Sequence, residues 1–268
     1  MFYSVIYLIL AGVLGGFMNT LASSGSAITL PVMLFLGVPP SIANATNRLP
    51  IFLGSTTSVY SFNQEGLIDW GKAFKLTIPW LVGCGVGIYL SKYLSNEHLQ
   101  TIIIIALTFA FFLLITNSRA MLKRKSTYRH NFSFKNHILF FLIGIWAGLI
   151  VLDCATLILF ELILGCGMDL KKANPIKNYL LLILSFFSVI IFAANHNLNW
   201  TIGIILSIGS IMGSKIASNL SQNEKVKLWV FRFLILITAI EIVHLVVKNY
   251  YNFDFFPLNK GNTALFNI

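Results

Sequence analysis

The chain reads PPSIANATNR at residues 39–48, between two apolar stretches, GSAITLPVMLFLGV (25–38) and LPIFLGSTTSVY (49–60). Two prolines, two asparagines, a threonine and an arginine interrupt a run that is otherwise hydrocarbon. The surroundings fix the solvent. Of 268 residues, 57% are hydrophobic and 10% charged, and the mean hydropathy is +0.80. A soluble domain carries about 25% charged residues, so this composition predicts an all-α polytopic membrane protein. A spanning helix needs about 20 mostly apolar residues. Stretches 4–22, 73–91, 99–117, 137–152, 179–194, 201–219 and 229–247 meet that need, and 45–62 is long enough though more polar. Stretches 25–38 and 155–167 are too short to span comfortably. They read as short steep helices or re-entrant arms, giving eight to ten membrane segments.

The formal charge is +10, and six of the nineteen basic residues lie in RAMLKRKSTYRHNFSFK (119–135). A basic connection between apolar spans is what cytoplasmic loops carry, and anionic headgroups are its second natural contact. Nucleic acid is not an expected partner, because no aromatic-interleaved basic patch is present. Cys84, Cys154 and Cys166 all sit in apolar segments with no metal spacing, and read as small buried hydrophobes. The first 24 residues end like a signal peptide but lack a basic start and carry Gly12, Gly15, Gly16 and Asn19. They are read as a retained membrane segment.

An internal repeat runs through the chain. Gly37 and Ala43-Asn44 recur as Gly167 and Ala173-Asn174, Trp70 recurs as Trp200, and VGCGVGIYLSKYLSNE (82–97) resembles IGSIMGSKIASNLSQN (208–223). Both copies keep Gly-xxx-Gly (Gly83/Gly87, Gly209/Gly213), which permits close helix approach in lipid. The expected organisation is a first membrane repeat (1–118), a basic cytoplasmic loop (119–136), a second membrane repeat (137–248) and a C-terminal tail (249–268). With 119–135 inside, the Lys171/Lys172/Lys177 region returns inside and 195–200 lies outside, as the positive-inside rule asks. An odd number of elements per half makes the two copies inverted repeats. Such repeats place a substrate site near the midplane, where broken helices from both halves meet.

The polar clusters are the candidates for that site. Ser24 and Gly25 stand at a break whose backbone N–H groups could line an anion-binding concavity. Asn44, Thr46, Asn47 and Arg48 open the next helix, and the planar fork of Arg48 suits an oxyanion or carboxylate. The alternative for Arg48 is an interfacial role, with its head reaching lipid phosphate. Counterparts from the second half are Asn174, Lys177 and Asn178. Where the first half has its glycine break, the second has Asp153, and Pro31 is replaced by Glu161. Both are candidates for proton coupling; on one continuous helix they would lie about 80° apart. Pairing of Glu161 with Lys177 or Lys215 is the structural alternative. Glu241 and His244 form a further pair on one face of the last span. Cofactor, nucleotide and zinc motifs are absent from the sequence, so no cofactor is expected.

Ser24-Gly25-Ser26, Leu30-Pro31, Gly37-Val38-Pro39 and Ala43-Asn44-Ala45-Thr46-Asn47-Arg48 follow the order of features in the TauE/SafE-type sulfite exporters, and residues 15–62 as a whole resemble that family. The second half resembles it less: it lacks the glycine break and shows ANPIKN at the helix start. The resemblance implies a secondary transporter of sulfite, thiosulfate, a sulfonate or a similar anion. It implies a place in a bacterial cytoplasmic membrane, with residues 44–48 and 174–178 facing the substrate. A transporter of another weak acid, such as a short carboxylate, is the nearest alternative. An intramembrane enzyme is more distant, because it needs Asp153, Glu161 and His244 to converge.

Overall fold

The computed structural model describes residues 2–21, 25–99, 101, 102, 105, 108, 112, 132–195, 197–221, 236 and 239. Among them all regular structure is helical. The helices are α1 (Phe2–Leu21), α2 (Ser26–Phe35), α3 (Pro40–Thr46), α4 (Arg48–Gln64) and α5 (Trp70–Ser91) in the first half. In the second half they are α6 (Phe134–Leu149), α7 (Cys154–Phe160) with a π-helical turn Glu161–Gly165, α8 (Leu170–Ala194) and α9 (Trp200–Leu220). Four stretches are long and apolar enough to cross a membrane: Ser4–Leu21, Trp70–Ser91, Leu170–Ala194 and Trp200–Leu220. The burial pattern is that of a protein solvated by lipid. Ile78 is 73% exposed, whereas Arg48 and Lys177 are 0% exposed. Most of 99–117, most of the expected basic loop and last span, and the tail lie outside the described residues.

Glycine faces decide the pairing, and they pair across the halves. In α1, a Cβ on Gly12 would meet the Leu206 carbonyl oxygen at 2.2 Å, and in α9 one on Gly213 would meet that of Val13 at 1.9 Å. The same interlock joins α5 to α6, where a Cβ on Gly87 would lie 2.0 Å from the Ile145 oxygen and one on Gly148 2.2 Å from that of Cys84. Each Gly-xxx-Gly copy therefore packs on the first helix of the other half. Contacts advance together along α1 and α9, along α4 and α9 (Leu49 with Gly203, Ser61 with Lys215), and along α5 with α6 and α8. They run in opposite order along α4 and α8, where Ser58 meets Asn178 and Phe52 meets Phe186. So α1, α4 and α9 point one way, and α5, α6 and α8 the other.

The two short segments are arms that fold back. Gly15 of α1 packs on Gly25 and Thr29 at the start of α2, while Tyr7 lines a shared cleft with Phe35 and Leu36 at its far end. In the second half Asn136, at the start of α6, bonds Glu161, just past the end of α7. Ten residues of helix cover about 15 Å, half a bilayer core. Gly37 and Gly167, at matching places after the two arms, adopt φ of +82° and +73°, a conformation that a side chain would strain.

Where the first half breaks between α3 and α4, the second runs through as α8. Pro50 favours the break: its ring would clash with the Thr46 carbonyl four residues back in a continuous helix, and Leu180 stands at the matching position. Segment 45–62 thus begins as a separate helix at Arg48, and the expected span at 179 begins instead at Leu170.

Matching N-caps close the picture. Asp69 accepts from the Lys72 amide and Asn199 from that of Ile202, each satisfying a donor that a helix start leaves open. Asp69→Ala is expected to cost about 1 kcal/mol in unfolding experiments in detergent. The Asp69 carboxyl is held below the usual carboxylate range, chiefly by its side-chain hydrogen bond with Lys72. Its contribution is therefore full above the ordinary carboxylate value and fades as pH falls through the folded one. Asp69→Asn should lack that acid-limb dependence.

Candidate functional site

The two helix breaks meet. Ser26 donates to the Val151 carbonyl at 3.5 Å, and Ala27 and Leu30 pack with Ile150 and Leu152. A break in the hydrocarbon must have its backbone groups satisfied by protein or water, and the polar clusters do this by crossing between halves. Arg48 donates to the carbonyls of Ala147 (2.7 Å) and Gly148 (2.9 Å), and Asn44 to that of Leu149 (3.0 Å). These three carbonyls end α6, so they lack the amide donors that another helical turn would supply. That is why α6 stops at Leu149 and Ile150 turns extended, short of the expected 152.

The mirror arrangement ends α1. Lys177 donates to the Asn19 carbonyl and weakly to that of Thr20, and Asn174 donates to Thr20 at 2.8 Å. Asn178 bonds Thr20, its own helix and Ser58. Cations at helix C-termini are favoured by the dipole as well as by the bonds. Arg48 also lies over the Phe192 ring, 5.7 Å from its centroid, a favourable cation–π distance. Among the described residues neither cation has a carboxylate partner, and neither reaches an interface.

Asn47 is different. It is fully buried, accepts from the Thr29 hydroxyl at 2.6 Å, and its side-chain nitrogen has no partner. It lines a void of about 10 Å³ together with Gly15, Gly16, Asn19, Gly25 and Ser210, room for about one water molecule. Gly25 is right-handed (φ −60°) and lies where a Cβ would come 2.0 Å from the Gly15 carbonyl oxygen. Close backbone approach is thus what requires a glycine here. Thr46 accepts from the Asn199 amide at 3.0 Å and so anchors the start of α9.

The acidic candidates separate. Glu161 accepts from Asn136 at 2.7 Å, its carboxylate folded over Gly165; the expected pairing with Lys177 or Lys215 is replaced by this amide. Asp153 lies outside the helix, so the continuous helix expected to carry both carboxylates is interrupted. Ser24, Glu241 and His244 lie outside the described residues. The sequence reading passed over Ser55, Ser58, Ser207, Ser210 and Ser214, all buried. Their signal was serine at three- and four-residue spacing on otherwise apolar helices. It also passed over Asn136. A larger cleft of about 350 Å³ between α1 and α2, lined by Tyr7, Leu10, Leu14, Val32 and Phe35, is apolar and chemically unsuited to an anion.

Comparison with known proteins points to membrane transporters. Residues 8–242 match the family model described as sulfite exporter TauE/SafE. A probable membrane transporter protein, ORF9, of Sinorhizobium sp. is 21% identical over 85% of this chain and 87% of its own. The probable membrane transporter protein YfcA of Escherichia coli K12 is 23% identical over 82% of each chain. A probable membrane transporter protein of Haemophilus influenzae is 20% identical over 80% of this chain and 83% of its own.

Proposed function

The chain belongs to the TauE/SafE sulfite exporter family of membrane transporters, and on that premise we propose that it exports a small anion of the sulfite, thiosulfate or sulfonate type across the bacterial cytoplasmic membrane. It works by alternating access between two inverted repeats. Opposite directions of the matching helices, α1 with α6, α4 with α8 and α5 with α9, support the inversion. The starts of α5, α6 and α8 share one face, which carries Lys72, Lys75, Lys135, Lys171 and Lys172; that face is cytoplasmic by the positive-inside rule. Export of an anion then runs with an inside-negative potential, worth about 2.3 kcal/mol per charge per 100 mV.

The observation that carries the reading is Asn47: a buried amide with a free donor on a small void between glycine backbones. The void is the closed form of the site, and separation of the halves widens it for the anion. Gly25 and Thr29 border it. Arg48 and Lys177, with Asn44, Asn174 and Asn178, hold the helix ends on either side and supply positive potential. Purified protein in liposomes, offered sulfite, thiosulfate, sulfonates and carboxylates, tests this. Asn47→Leu should cut flux of the preferred anion at least about tenfold, the scale of one lost hydrogen bond to a charge, in protein that still elutes as a single folded species. Wild-type flux in that variant would remove Asn47 from the site.

A further inference from the structure

Asp153 combines two unfavourable features at one residue. Its backbone is left-handed, with φ +57° and ψ 6°, and it is the one non-glycine residue with positive φ among those described. Its side chain is 5% exposed, and neither carboxylate oxygen makes a hydrogen bond of acceptable geometry. A glycine would relieve the backbone and remove the buried group together. Strain held at the junction of two helix breaks is the kind of outlier that marks a working position.

The neighbours do not neutralise an ionised carboxylate. On its own turn stand Cys154 and the Thr156 hydroxyl, which lies beside the carboxyl. From α4 comes Arg48, whose fork is taken by the Ala147 and Gly148 carbonyls, and from α8 comes Lys177, taken by Asn19 and Thr20. Cys84 faces the same region from α5. Trp146 of α6 donates to the Leu152 carbonyl and Ser26 of α2 to that of Val151, so both spend their donors on the backbone next to Asp153. A buried anion with one neighbouring hydroxyl and no cation to face it binds a proton in preference to staying charged. Glu161 has an amide donor from Asn136 and so needs the proton less.

We propose that Asp153 is the proton-binding site of the transporter. It carries one proton in this closed conformation, exchanges it with water when the breaks part, and thereby couples anion flux to the proton gradient. The coupling rests on the transport reading above; the bound proton rests on Asp153 alone. Infrared difference spectra of wild type minus Asp153→Asn, at neutral pH, should show the carbonyl band of one protonated carboxylic acid. In liposomes, a transmembrane pH step should change wild-type anion flux at least about threefold and leave Asp153→Asn and Asp153→Gly flat. Asp153→Gly should also melt about 2–4 °C higher, the shift that relief of a small strain gives in a chain of this size.

An absent band, a pH-responsive Asp153→Asn, or flux that follows sodium instead of protons would each overturn the assignment. Should no anion in the panel be carried, the infrared band still decides the proton site, while the transport reading fails separately.

Discussion

Gly213→Val is expected to cost about 3 kcal/mol or more, the upper end of what overpacking does. The new Cβ would fall 1.9 Å from the Val13 carbonyl oxygen and 2.8 Å from the Phe17 nitrogen. Both are backbone atoms in the middle of α1, so no side chain can rotate away and the two helices must separate. Separation also uncovers the contact between Gly209 and the Ile9 carbonyl. In lipid such contacts are held by close packing, with no hydrophobic drive to restore them. Thermal unfolding and size-exclusion behaviour in mild detergent measure the loss. Gly85→Val is the control: it lies on the same kind of helix, with open space where its Cβ would go, and valine exceeds glycine in helix propensity. A Gly213→Val protein as stable as the control would mean that α1 and α9 do not touch as described.

Arg48→Met is expected to cost about 3 kcal/mol. The substitution removes a buried cation, and that alone can be neutral or favourable. What remains decides the sign: the carbonyls of Ala147 and Gly148 lose their side-chain donors among the described residues, at about 1–3 kcal/mol for each buried acceptor left open. Arg48→Lys keeps the charge but not the fork, and should recover about half of the loss. Lys177→Met should lower stability in the same direction through the end of α1. Melting temperature and denaturant midpoint report these effects without any transport assay. Unchanged stability in Arg48→Met would show that the guanidinium is dispensable to the α6 terminus.

Much of this was legible in the chain because lipid makes strict demands. The small faces Gly83/Gly87 and Gly209/Gly213 announced close contacts, and the polar residues of 39–48 and 174–178 announced broken helices at membrane depth, though as substrate-facing groups. The spacing could not say that each partner lies in the other half, since a Gly-xxx-Gly face records only what it can accept. Arg48 and Lys177 illustrate a second limit. A buried cation in sequence looks equally suited to a substrate oxyanion or a helix-end carbonyl, because both are acceptors with negative charge. Which one it meets depends on where α6 and α1 stop, and those endpoints depend in turn on the cations. Asp153 was readable as an ionisable group in a membrane segment; its left-handed backbone and missing donors arise only from the surrounding packing.

The crossed pairing of α1 with α9 and of α6 with α5 has a consequence for biosynthesis. The first helix leaves the translocon nearly two hundred residues before the helix that covers its glycine face has been made. Until then its groove has only lipid or an insertion factor for company, so assembly completes late and in one step. Each half made as its own polypeptide should be retained or degraded, and both made together in one cell should rescue one another. The two halves therefore behave as two pieces of a single folding unit.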